Sequence, residues 1–235
     1  MEWLNTLYES FYNALVPEQR YLAYLSGLKM TLLIAFFAVL LGVIIGMVVA
    51  VLKVGGRNSK NPLLRFLAKV GTFYTTVIRG TPVIVQVLII YNLIFTSPDT
   101  NKIIVGTVCF GINSGAYVAE IIRGGLMSLD PGQMEAGRSL GLGYLPTMTF
   151  IVVPQAFKAI LPALGNEFIT LLKDTSLISA IAGKEVVYFA KAIGAKTYDY
   201  MFPLLIIAVM YLILVLIFTW LQGILERRLR ASDRR

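Results

Sequence analysis

Two long stretches without a single charge limit what this chain can become. Thr31 to Leu52 runs 22 residues, and Tyr200 to Leu225 runs 26, without Asp, Glu, Lys or Arg. The hydrocarbon core of a bilayer is about 30 Å thick and takes roughly 20 helical residues to cross. No water reaches backbone polar groups there, so a spanning segment must satisfy them within itself, as a helix does. An all-α integral membrane protein is therefore expected. Composition agrees: 57% of the 235 residues are hydrophobic and 14% are charged, against about 25% charged in a soluble domain. Mean hydropathy is +0.75.

Three further spans bring the expected total to about five transmembrane helices. One runs from about Val70 to Phe95 and is broken by Arg79-Gly80-Thr81-Pro82. Another runs from Ile103 to Ala119, with Glu120 and Arg123 at its end. A weaker one lies near Asn166 to Ala182 and carries Glu167, Lys173 and Asp174. Gly124 to Pro162 is too polar and too punctuated by Gly and Pro to span. Gly42 and Gly46, at GxxxG spacing, mark a face of the first span suited to close helix packing.

Charge placement sets the expected orientation. Lys53, Arg57, Lys60, Arg65 and Lys69 follow the first span, and Glu226-Arg227-Arg228-Leu229-Arg230 with Arg234-Arg235 follow the last. Basic loops stay on the cytoplasmic side, which places the N-terminus outside and the C-terminus inside. The same rule accounts for the net charge of +8 without nucleic acid as a partner, since no soluble basic face forms. Lys184, Lys191 and Lys196 then fall outside, against the rule, and Glu185 and Asp199 offset them in part. Residues 1–29, with Trp3, Tyr8, Phe11, Tyr12, Tyr21 and Tyr24, read as an extracytoplasmic interfacial segment. Residues 30–225 read as the transmembrane domain, with a loop over 124–162, and 226–235 as a basic cytoplasmic tail. Ser97-Pro98-Asp99 reads as an outer turn. Glu2, Glu9 and Glu18 spoil the basic-then-apolar order of a cleaved signal, so insertion is expected to rely on the first span.

Absences narrow the function. The chain has no histidine and one cysteine, Cys109. Histidine metal sites, Ser-His-Asp triads and histidine proton relays are excluded, as is an intramolecular disulfide. Cys109 lies in an apolar run and reads as a small packing residue. No GxxxxGK[ST] loop is present, so the chain is not itself an ATPase. No catalytic constellation supports a membrane enzyme. A stand-alone secondary transporter or channel for a small polar solute is the alternative class, but no internal repeat supports it.

The loop contains one short helix. Asp130-Pro131 suits a helix start, Gln133 fits a capping box with Asp130, and Gly141 and Gly143 end the run. About ten helical residues result, on which Glu135 and Arg138 are placed to pair. Ala136, Gly137 and Ser139 are small enough for a partner to approach closely.

Glu135-Ala136-Gly137-x3-Gly141-x9-Ile151-x-Val153-Pro154 resembles the cytoplasmic loop signature of ABC importer permeases, Glu-Ala-Ala-x3-Gly-x9-Ile-x-Leu-Pro. Gly137 and Val153 are the departures. Arg79-Gly80-Thr81-Pro82 with Gln86, Ala116-Tyr117-Val118-Ala119-Glu120 with Arg123-Gly124-Gly125, Gly132-Gln133, Pro154-Gln155-Ala156 and Lys173-Asp174-Thr175-Ser176-Leu177 extend the likeness to the polar amino-acid branch. It covers the chain from about Gly27 onward. The resemblance implies a type I importer permease in the plasma membrane of a prokaryote. The short helix becomes a coupling helix docked on a dimer of separate ATP-binding subunits, with Gly132, Glu135, Ala136, Gly137, Arg138 and Gly141 at the contact. ATP and Mg would be held by that partner and no cofactor by this chain. An extracytoplasmic amino-acid-binding protein would deliver substrate. A second permease copy or a paralogue would complete the path, because five helices are few for an alternating-access cavity.

Ionisable and polar groups at membrane depth are costly and face a protein interior or water. Arg79, Gln86, Asn113, Glu120, Glu167, Lys173 and Asp174 are thus the path candidates. Together they offer donors and acceptors for the carboxylate and ammonium of an amino acid. Exposed backbone at Gly80-Thr81-Pro82 would add carbonyls.

Overall fold

The computed structural model describes residues 2–57, 59–97 and 99–231, with side chains through 229. Pro98 of the expected outer turn and Arg234 and Arg235 of the expected tail lie outside the described residues. The described chain contains ten α-helices: α1 Glu2–Leu15, α2 Arg20–Arg57, α3 Pro62–Gly80, α4 Val83–Ile94, α5 Lys102–Met127, α6 Gly132–Ser139, α7 Tyr144–Thr147, α8 Val153–Asp174, α9 Val186–Thr197 and α10 Met201–Ala231. Four helical stretches are long and apolar enough to cross a membrane: Pro17–Arg57, Lys102–Met127, Tyr144–Ile181 and Met201–Leu229. The pair α3 and α4 reaches that length and apolar character only when its two helices are counted together across the break at Thr81-Pro82.

Several boundaries differ from the sequence reading. The helix expected from Asn166 begins at Tyr144 and passes through Pro154 and Pro162. A one-turn π segment, Met148–Val152, joins α7 to α8. The extra residue in such a turn loosens the backbone ladder ahead of a proline. The expected loop over 124–162 is correspondingly shorter. α10 carries the expected basic tail onward as helix to Ala231. At the start of the chain, 20–29 belongs to α2 rather than to a separate interfacial segment.

The chain divides into two compact units. Unit 1 comprises 1–38, 82–110 and 169–218. Its core joins Tyr24, Val186, Ala190, Ile193 and Ile207. Cys109 is buried here, as its apolar surroundings led one to expect. A Cβ on Gly27 would stand 2.7 Å from the Val186 nitrogen, so only glycine lets α2 lie against the start of α9. Lys196 donates to Glu18 at 2.9 Å, which pairs one of the three lysines that ran against the charge rule. Both groups are exposed, so the pair adds little stability.

Glu185 caps α9 and is fully buried. Its carboxylate accepts from the Val187 and Tyr188 N–H groups, each at 2.8 Å, and from the Tyr211 hydroxyl at 3.2 Å. Burial disfavours the charged form and pushes the pKa up to about 7, against the pull of those donors and of Lys191. The sequence reading used Glu185 only as a partial offset to nearby lysines.

Unit 2 comprises 39–81, 111–168 and 219–235. Its organising contact is the crossing of α2 and α5. A Cβ on Gly42 would lie 2.8 Å from Ser114 Cβ, and one on Gly46 would lie 2.6 Å from Val118 Cβ. The fit is reciprocal: Gly111 meets Leu41 and Gly115 meets Ile45. Each helix presents a GxxxG face to side chains of the other, the arrangement that lets backbones approach in lipid. Gly55, by contrast, has no neighbour within 4 Å of the Cβ position.

Two outcomes follow from these contacts. Gly46→Ala should lower the apparent unfolding midpoint in detergent by the equivalent of about 1–3 kcal/mol, the cost of overpacking a tight contact. Gly55→Ala should leave it unchanged or raise it slightly. Glu185 supplies a pH dependence. Its folded pKa of about 7 exceeds the ordinary 4.5, so the folded state binds the proton more tightly. Stability should therefore fall as pH rises from about 4.5 through about 7, by up to roughly 3 kcal/mol. A melting series between pH 4.5 and 8 should show this slope, flattened in Glu185→Gln.

Candidate coupling helix and transport path

α6 is shorter than the spacing suggests and is capped differently. Asp130 Oδ1 accepts from the Gly132 N–H at 2.9 Å just ahead of the helix, while the cap position itself falls on Pro131, which makes no side-chain cap bond. Gln133 does not close a capping box. Its Oε1 instead accepts from Gln155 Nε2 at 3.1 Å, and Gln155 also donates to the Ile151 carbonyl. Gly141 ends the helix in the left-handed region at φ +86°, where glycine is at ease. Gly143 does not terminate α6 but precedes α7 and receives the Thr147 hydroxyl on its carbonyl.

Gly137 is the buried member of α6. A Cβ there would stand 2.5 Å from Thr147 Cγ2 and 3.0 Å from Ile151 Cδ1. The small residue expected to admit an outside partner thus seats α6 on the start of the following helix. Gln133, through Gln155, fixes the same junction. The outward residues are Glu135, Ala136, Arg138 and Ser139, with Leu140 and Leu145 beside them. Among the described residues Glu135 and Arg138 form no ion pair. Ser139 donates to the Glu135 carbonyl at 2.9 Å. The exposed face therefore offers an unpaired carboxylate and guanidinium flanked by apolar side chains.

The path candidates separate into groups. In unit 2, Arg79 and Glu120 line one cavity of about 320 Å³ with Lys53, Thr72, Thr75, Thr76 and Arg123. Glu120 pairs there with Lys53 at 2.5 Å and with Arg123 at 2.8 Å, and Lys53 also donates to Thr75 at 2.8 Å. Arg79 does not pair with Glu120. Its guanidinium lies 5.2 Å from the centre of the Tyr117 ring, a cation–π placement at the lining of the cavity. Asn113 is buried and Glu167 half-buried in the same unit, but neither lines this cavity. Gln86 is buried, Asp174 half-buried and Lys173 exposed in unit 1. The Pro82 carbonyl, counted as a free acceptor in the sequence, receives the Val85 and Gln86 N–H groups and starts α4.

Lys53 was missed as a site residue because, as the first charge after the opening apolar run, it reads as a topology marker. Its seven-residue offset from Gly46 along α2 was the available signal. Two turns past the glycine contact, a side chain still faces the same neighbour, here α5, the helix that carries Glu120.

Comparison with known proteins agrees with this architecture. Residues 39–231 match the family described as binding-protein-dependent transport system inner membrane component. A Rickettsia typhi protein named for glutamine transport, the permease protein GlnP, is 39% identical over 210 residues, covering 87% of this chain and 92% of its own. The arginine transport system permease protein ArtQ of Bacillus subtilis is 36% identical over 227 residues, covering 94% and 98%. A chain in the crystal structure of an amino acid ABC transporter with histidines superposes with a TM-score of 0.80 at 42% identity, covering 88% and 94%. With its multi-pass helices and a short polar helix seated on a spanning one, this chain belongs to the inner-membrane permease family of binding-protein-dependent ABC importers.

Proposed function

We propose that the chain takes up a polar amino acid delivered by an extracytoplasmic binding protein, and that α6 couples it to a dimer of ATP-binding subunits. The observation that carries the coupling role is the seating of α6. Gly137 against Thr147 and Ile151, together with the Gln133–Gln155 bond, ties a short exposed helix to the helical run Tyr144–Ile181. A rigid junction of this kind lets a push on the helix pass into a span, and coupled transport needs such a bistable element. Glu135, Ala136 and Arg138 form the docking face, while Gly132, Gly137 and Gly141 set its shape. ATP and Mg belong to the partner subunit. The N-terminus lies outside and the C-terminus in the cytoplasm, on the side of the basic segments.

The substrate class rests on the relatives, named for glutamine and arginine transport, and on the polarity of the path. Arg79 is the donor we assign to the substrate carboxylate, because its guanidinium is held over Tyr117 and forms no ion pair among the described residues. Glu120, clamped between Lys53 and Arg123, holds the cavity in shape. Gln86, Asn113, Glu167, Lys173 and Asp174 are the further polar positions of the path. A second permease copy or a paralogue encloses it.

Glu135→Lys should reduce co-purification of the ATP-binding subunit by about tenfold or more, as loss of a charged contact at an interface centre does. Insertion, read by fractionation, should be unchanged, and uptake should fall with docking. Uptake by the purified chain alone in liposomes, without any ATPase, would place it instead among secondary transporters. Arg79→Gln should weaken uptake at low substrate concentration while leaving ATPase docking intact; unchanged uptake would remove Arg79 from the path.

A further inference from the structure

A second cavity in unit 2, about 430 Å³ in volume, is lined by Lys53, Arg57, Arg65, Lys69 and Arg123 together with Gly56, Ala68 and Thr72. Gly56 creates it. A Cβ there would lie 2.4 Å from the Leu64 carbonyl oxygen and 2.5 Å from Ala68 Cβ, so α3 rests directly on the end of α2. Arg65 and Lys69 stand one turn apart on one face of α3, and the contact at Gly56 brings that face beside Arg57.

Lys53 and Arg123 both pair with Glu120, which offsets one of their two charges. Among the described residues, Arg57, Arg65 and Lys69 have no carboxylate within ion-pair distance. Three like charges gathered around one cavity repel unless an anion sits among them. The position along α2 says which anion. The uncharged run ends at Leu52, and Arg57 lies five residues, about 8 Å, further along the helix. That is the depth of the headgroup layer beyond the hydrocarbon. Next to the basic face, Phe66 and Phe73 of α3 are 61% and 70% exposed, an apolar surface suited to acyl chains rather than to water.

We propose that this cavity binds the phosphate of an acidic phospholipid, held by Arg57, Arg65 and Lys69 against the crossing of α2 and α3. Basic clusters at the cytoplasmic membrane boundary attract such headgroups. The lipid's negative charge would offset part of the positive charge at the base of α3, the helix that also carries Arg79. The site is independent of the coupling face, since none of its residues lies on α6.

The test uses the full-length chain co-purified with its ATP-binding partner in a mild detergent. Phosphatidylglycerol or phosphatidylcholine is added, and bound lipid is counted by native mass spectrometry. Phosphatidylglycerol should be retained about fivefold or more over phosphatidylcholine. The preference should vanish in the triple variant Arg57→Gln, Arg65→Gln, Lys69→Gln and persist in the double variant Arg57→Lys, Arg65→Lys. Inorganic phosphate in excess should leave the lipid bound. Equal retention of the two lipids by the unaltered protein would overturn the proposal even if the triple variant failed to fold. Retention of phosphatidylglycerol by a folded triple variant would do the same, and so would displacement by inorganic phosphate, which would make the site one for a soluble anion. If the triple variant kept its lipid but lost the ATP-binding partner, the cavity would be a protein interface and the proposal would fall.

Discussion

Where α2 crosses α5, two pairs of glycines take the place of side chains. Gly42 and Gly46 receive Ser114 and Val118, and Gly111 and Gly115 receive Leu41 and Ile45. Lipid supplies no hydrophobic drive to bring helices together, so close van der Waals contact must do it. This contact also fixes the register of the two helices. Held in that register, Lys53 reaches Glu120, Glu120 reaches Arg123, and Lys53 reaches Thr75 of α3. An ion cluster at this depth would be costly if any member lost its partner. The glycine crossing therefore does more than pack: it permits the polar chemistry beside it.

A similar economy governs the short helix. Gly137 is where the recognised loop pattern departs from alanine, and it is also where α6 meets Thr147 most closely. A methyl group at that point would push the helix off its seat unless Thr147 moved. The departure thus reads as a compensated packing choice, with the outward residues Glu135, Ala136 and Arg138, which we propose for docking, unaffected. Coupling by such an element relies on stiffness at the junction rather than on any chemistry in the helix.

Legibility differed by kind of residue. The number of spans, the break at Gly80-Thr81-Pro82 and the exposed helix around Glu135 were all visible. Each depends on local hydropathy or on residues with fixed backbone preferences. The start of the fourth span was not. Pro154 and Pro162 look like breakers, yet a π turn at Met148–Val152 lets the helix run on from Tyr144. Glu185 was also missed. Beside Lys184 it looks like a solvated charge, whereas Tyr211, 26 residues away, completes its buried shell.

Sequence by itself determined the membrane setting, the helical class, the approximate spans and the family resemblance. These follow from the absence of charge over bilayer-length runs and from short ordered motifs. Tertiary structure alone decided which charges meet. It paired Glu120 with Lys53 rather than Arg79, turned Gly137 inward, buried Glu185 and gathered Arg57, Arg65 and Lys69 around one cavity. The physical reason is that pairing depends on helix register and crossing. Those are set by contacts between residues far apart in the chain, and no local pattern records them.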